Sequence, residues 1–132
     1  MPATALDHVT IVTRDLAASR DFYMGVLGLE EADFRPNFAF DGAWLTLGPT
    51  AVVHLMVVDR DLGDGLTQPF DHFALRARDM KGVRAALDQR GIAFTEQQPP
   101  GSTIRQIFLK DPDGVRVELT FDETAEKAAG TL

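Results

Sequence analysis

Apolar and polar positions along this chain follow two periods, and the switches between them outline the elements. Leu6 to Thr13 is rich in β-branched residues and alternates, with His8, Thr10 and Val12 on one face and Val9 and Ile11 on the other, so it predicts a strand. Asp15 is a suitable N-cap for a helix from Leu16 to Leu27. Its apolar positions Leu16, Phe22, Tyr23, Val26 and Leu27 fall at helical spacing before a Gly28 stop. Leu29 to Phe34 and Phe38 to Leu47 predict two further strands, the second bent near Asp41-Gly42. After the Gly48-Pro49 turn, Ala51 to Val58 is the strongest strand of this half, alternating Val52, His54, Met56 and Val58 against Val53, Leu55 and Val57.

The order then repeats. Phe70 to Ala77 predicts a strand with His72, Ala74 and Arg76 on one face. Asp79 caps a helix through Met80, Val83, Ala86 and Leu87, and Gly91 closes it. Ile92 to Gln97, Thr103 to Lys110 and Val115 to Phe121 are strands, the last two joined by the turn Asp111-Pro112-Asp113-Gly114. Val117, Leu119 and Phe121 form the apolar face of the final strand, opposite Arg116, Glu118 and Thr120. The tail beyond Asp122 is a short helix or a fraying end. Each half therefore reads βαβββ. The expected organisation is a single α+β domain of two modules, 5–58 and 70–122, joined by a polar, Gly- and Pro-containing linker, 59–69.

The repeat has a constant offset of 64 residues, and it carries the candidate chemistry. Asp7-His8 corresponds to Asp71-His72, Arg14-Asp15-Leu16 to Arg78-Asp79-Met80, and His54 to Glu118. All three histidines of the chain lie on this frame, and an acid takes the fourth place. If the halves pack about a pseudo-twofold axis, the equivalent residues converge in pairs, and His8, His54, His72 and Glu118 become candidate metal ligands. Asp7 and Asp71 would point to the opposite strand faces. Imidazole nitrogen and carboxylate oxygen without sulfur suit Zn, Fe(II), Mn, Ni or Co. His54, on an otherwise apolar face, is a fourth ligand, a proton carrier or a packed histidine; Glu118 is a ligand or base, or a surface partner of Arg116. Arg76 shares the face of His72 and Arg116 that of Glu118, so both are candidates to hold an anionic substrate. Trp44, Phe40 and Met56 are candidate pocket wall.

Composition removes several classes. With 132 residues and ordinary hydrophobic content (45%), the chain can build one core. A net charge of −7 argues against a nucleic-acid surface. The absence of cysteine excludes disulfides, thiolate metal sites and a cysteine nucleophile, and fits a cytoplasmic setting. No signal peptide is expected from Met1 to Ala5, and no apolar run approaches the roughly 20 residues of a membrane span.

The Asp-His strand starts, the Phe22-Tyr23 to Gly28-Leu29 helix end and the Asp111-Pro112-Asp113-Gly114 to Glu118-Leu119 ending resemble the vicinal oxygen chelate superfamily, the glyoxalase / bleomycin-resistance / extradiol dioxygenase group. The resemblance covers roughly Ala5 to Asp122. It implies curved mixed sheets enclosing a cavity, a divalent metal held by His8, His72 and Glu118, and often a homodimer. Where glyoxalase and epimerase members commonly carry Glu or Gln, this chain has His54; two His and one Glu resemble the dioxygenases and fosfomycin transferases instead. The functions implied are a metal-dependent glyoxalase-like lyase or isomerase acting on a small substrate chelated through vicinal oxygens, with Glu118 and His54 as acid/base groups; a ring-cleaving dioxygenase or fosfomycin-type transferase; or a non-catalytic drug-binding protein lined by Trp44, Phe40 and Met56.

Overall fold

A computed structural model describes residues 5, 6, 8–61 and 72–132. The expectations for Asp7 and Asp71, and for the linker beyond Asp61, lie outside the described residues. The chain divides into two compact units, Met1–Leu62 and Gly63–Leu132, each built on a four-stranded mixed sheet.

In the first unit, β1 (Val9–Thr13) is followed by α1 (Leu16–Arg20), β2 (Glu30–Glu31), β3 (Gly42–Leu47) and β4 (Thr50–Val57), in the sheet order β1-β4-β3-β2. In the second, β5 (Phe73–Arg76), α2 (Met80–Arg90), β6 (Phe94–Gln97), β7 (Ile104–Lys110) and β8 (Arg116–Asp122) give the order β5-β8-β7-β6, and α3 (Glu123–Ala129) follows. Both are βαβββ, as the alternation predicts, so the fold is α+β. The strand register repeats as well. Thr10 pairs with His54 on the parallel β1–β4 ladder, and Ala74 pairs with Glu118 on β5–β8. Across the antiparallel side, Trp44 faces His54 and Phe108 faces Glu118. Every one of these positions keeps the 64-residue offset (10 to 74, 44 to 108, 54 to 118).

Burial follows the period-two reading. Val53 and Leu55 of β4 and Val117, Leu119 and Phe121 of β8 are in the core, while His54 and Met56 are half-buried on the other face. The β4 face of His54 is thus an open apolar face rather than core.

Three elements differ from their sequence expectation. The helix expected over Leu16 to Leu27 is α-helical only to Arg20 and widens into a π-helical turn over Asp21–Val26. Adjacent aromatics explain it: Phe22 and Tyr23 are both buried, in edge-to-face contact at 5.0 Å, and a wider coil lets two consecutive side chains face inward. The Leu27 N–H then donates to Phe22 O at 3.1 Å, and the Leu29 N–H closes the end on Tyr23 O at 2.9 Å. The strand expected over Leu29 to Phe34 is reduced to Glu30–Glu31. The strand expected from Phe38 begins only at Gly42, because Phe38 and Phe40 are held by Arg35: its guanidinium lies 5.0 and 5.3 Å from their ring centres and donates to Phe40 O at 3.0 Å.

Gly42 pairs with Met56, and a Cβ on it would lie 2.2 Å from the backbone oxygen of Leu55. Backbone cannot yield as a side-chain tip does. Gly42→Ala is therefore expected to destabilise the chain by about 1–3 kcal/mol, the usual cost of overpacking, read from urea unfolding.

Candidate functional site

The two halves of the expected ligand set are each held inside their own unit. In the second unit, β5 and β8 run parallel, which carries His72, just before β5, to Glu118 of β8. His72 Nε2 lies 2.9 Å from Glu118 Oε2. Glu118 is buried, at 6% exposure, whereas the His72 side chain keeps 31%. A buried carboxylate requires hydrogen-bond partners. Its other oxygen, Oε1, accepts from Gln106 Nε2 at 2.5 Å and from the Thr120 hydroxyl at 3.2 Å. Phe108, opposite Glu118 on β7, meets the His72 ring edge-on at 5.5 Å, and the Arg116 guanidinium lies 4.3 Å from the Phe108 ring centre. Arg116 thus packs its guanidinium on the Phe108 ring. That ring also borders a pocket of about 370 Å³, to which Phe94, Thr95, Lys110 and Arg116 contribute.

In the first unit, the equivalent positions form a column of rings. His54 is sandwiched between Trp44, at 4.1 Å and 11°, and His8, at 3.9 Å and 14°. Phe38 continues the column toward Phe40. His54 Nε2 lies 3.1 Å from Ala51 O. A carbonyl only accepts, so the hydrogen-bond network assigns the proton to Nε2 and the lone pair of a neutral ring to Nδ1. This sandwich is the packed-histidine arrangement; a ligand or proton-acceptor role for His54 would use Nδ1.

The donor chemistry of the His72–Glu118 pair fits a borderline divalent cation. Nε2 of His72 and Oε2 of Glu118 stand 2.9 Å apart and are the nitrogen and oxygen donor types that such an ion takes. Among the described residues, no three histidine or carboxylate side chains gather within either unit. Arg76 is exposed on β5, and Met56 is half-buried beside His54 on β4.

Sequence reasoning missed Gln106. The available signal was an amide two residues from Phe108, the cross-strand partner of Glu118, and therefore on the same strand face. Thr120 was visible as a neighbour on the Glu118 face, but its bond to the carboxylate was not. The arginine clamp of Arg35 carried no pattern at all, since it lies in an irregular segment.

Comparison with known proteins places this geometry in context. The family described as "Glyoxalase/Bleomycin resistance protein/Dioxygenase superfamily" matches residues 5–119. The chain is 29% identical to the lactoylglutathione lyase of Escherichia coli O157:H7, covering 93% of this chain and 96% of that one. It is 27% identical to the protein named Glyoxylase I 4 of Arabidopsis thaliana, over 88% of this chain and 70% of that one. Among solved structures, a glyoxylase/bleomycin resistance protein/dioxygenase domain from Frankia sp. EAN1pec superposes with a TM-score of 0.75 at 23% identity, covering 91% of this chain and 98% of that one.

Proposed function

Because the chain belongs to the glyoxalase/bleomycin resistance protein/dioxygenase superfamily, we propose that it is a metal-dependent enzyme of the glyoxalase type, a lyase or isomerase acting on a small substrate that presents two vicinal oxygens. The observation that carries this reading is the buried Glu118 carboxylate with Oε2 facing His72 Nε2 at 2.9 Å. His72 and Glu118 would hold the ion within the second unit; His8 and His54 are further candidate ligands on the sequence repeat, and His54 would use Nδ1 as a ligand or proton carrier. A bound divalent cation supplies Lewis acidity to the substrate carbonyl. The chain's own residues do the rest. Gln106 and Thr120 keep Glu118 oriented, and Phe108 limits water at the His72 ring. The pocket beside Phe108 receives the body of the substrate, with Lys110 and Arg116 near any anionic group. Sequence similarity to lactoylglutathione lyases makes the hemithioacetal of methylglyoxal and glutathione the first substrate to test. The protein is proposed to act in the cytoplasm as a homodimer. Among the described residues no helix is long and apolar enough to cross a membrane.

The test is elemental analysis of protein purified without chelators, followed by assays after chelation and re-addition of Zn, Ni, Co, Mn or Fe(II). About one divalent ion per chain, with turnover lost on chelation and regained with metal, is expected. Absence of any stoichiometric divalent ion overturns the reading.

A second reading, ligand capture without turnover, is favoured by the ring column of the first unit, whose outer members Phe38 and Phe40 remain 40% and 39% exposed. In that case His72→Ala leaves affinity for a planar aromatic ligand intact and the hemithioacetal is not turned over. A large loss of activity in His72→Ala supports the enzyme.

A further inference from the structure

The two halves share one backbone register but hold their equivalent side chains by different means. Around Glu118, two polar donors converge on one oxygen: the Gln106 amide at 2.5 Å and the Thr120 hydroxyl at 3.2 Å, both on Oε1. The positions 64 residues earlier are Gly42 and Met56. Neither carries a side-chain hydrogen to donate, and Gly42 has no room for a side chain, since a Cβ there would lie 2.2 Å from Leu55 O. The first unit therefore cannot build this clamp. It holds His54 between two flat rings instead.

A carboxylate offers two oxygens to a cation. One whose Oε1 is occupied by two donors presents Oε2 alone, and here Oε2 is the oxygen that faces His72 Nε2. We propose that Gln106, assisted by Thr120, is a positioning residue that restricts Glu118 to one-oxygen ligation through Oε2 and so leaves a coordination position for the substrate's second oxygen. This rests on the metal-dependent reading given above. Without the amide, Oε1 is released and the carboxylate turns about its terminal torsion, so the pre-set orientation of Oε2 is lost, which weakens binding, and Oε1 becomes free to join Oε2 on an ion that does bind. Bonds to a ligating carboxylate from surrounding side chains commonly support metal affinity 10- to 100-fold.

The experiment uses the full chain loaded with Co(II). Gln106→Leu keeps most of the side-chain volume and removes the donor. Its divalent-metal affinity, from competition with a chromophoric chelator, is expected to fall about 10- to 100-fold, and the visible Co(II) bands are expected to weaken and shift as the coordination number rises. Affinity within twofold of the parent together with a superimposable Co(II) spectrum overturns the proposal. So does a variant that only lowers the melting temperature of the metal-free protein, because that is the signature of a purely structural amide. If Gln106→Leu does not fold, Thr120→Val and Thr120→Ser decide the matter: valine weakens affinity several-fold and serine restores it, whereas equal behaviour of the two overturns the proposal. A parent protein that binds no divalent ion defeats the metal reading and this inference together. A parent that binds while every variant matches it defeats only the inference.

Discussion

Glu118→Ala is expected to lower kcat/KM for the proposed hemithioacetal substrate by about 10²–10⁴-fold, the range associated with removing a positioned acid/base group. The argument begins with burial. Glu118 has 6% exposure and accepts from three side chains, His72, Gln106 and Thr120. Alanine removes the only group all three share and leaves donors facing a gap, so it also destabilises the fold by about 1–3 kcal/mol. The two effects separate with Glu118→Gln, which keeps shape and an acceptor oxygen but loses the charge. That variant is expected to stay within about 1–2 kcal/mol of the parent and to be nearly as inactive as alanine. Initial rates beside urea unfolding curves read both quantities. Retention of parental activity in the glutamine variant would sink the assignment of Glu118 to the chemistry.

The second large effect is centred on α3. Glu126, in α3, is buried at 4% exposure. Its carboxylate accepts from the Met80 N–H at 2.9 Å, the Asp79 N–H at 3.1 Å and the Thr131 hydroxyl at 2.7 Å. It therefore satisfies N–H groups at the start of α2 that the helix itself cannot reach, and favours the positive end of the helix dipole. Asp79, which caps the same end through Gly82 N, sits at φ 62°, a conformation costly for a residue other than glycine. Glu126→Ala is expected to destabilise the chain by about 3 kcal/mol. The Glu126 pKa reflects the same contacts. Burial pulls it upward, but the hydrogen bonds from Met80, Thr131 and Asp79 together outweigh burial and leave it lowered from 4.5. Glu123, on the same helix, is lowered to about 2 by Lys127 and Arg105, with Gln98 adding to the effect. A carboxylate whose folded pKa is depressed stabilises above its unfolded value and loses that contribution as pH falls through the folded one. Stability anchored by α3 should thus be complete above about pH 5 and decline between there and about pH 2. Urea midpoints of parent and Glu126→Ala measured at pH 7 and pH 3 check this: the gap between them should narrow in acid. A gap that stays constant would mean the carboxylate charge plays no part.

The βαβββ order, the core faces of β4 and β8, the caps at Asp15 and Asp79 and the Gly91 stop were legible from the sequence, because each depends on local periodicity or on one residue's conformational preference. The 64-residue repeat went further. It put His54 and Glu118 at equivalent positions of the last strand of each half, and the structure adds that the registers match. The elements misjudged were those where side chains overruled the local pattern. Two adjacent aromatics opened a helix into a π turn, and Arg35 held Phe38 and Phe40 outside the strand.

The sequence by itself determined the architecture, the correspondence of positions between the two halves and the residue types able to hold a cation, since these follow from periodicity, offset and donor chemistry. Only the tertiary structure decided how each candidate is held. Gln106 reaches Glu118 across a strand pair, 12 residues away in the chain. Glu126 reaches the start of α2 from 46 and 47 residues away. His54 is gripped by the rings of Trp44, on β3, and His8, just before β1. Hydrogen bonds and ring contacts between distant segments depend on strand register and rotamer, which are cooperative properties of the packed sheet and leave no local period to read.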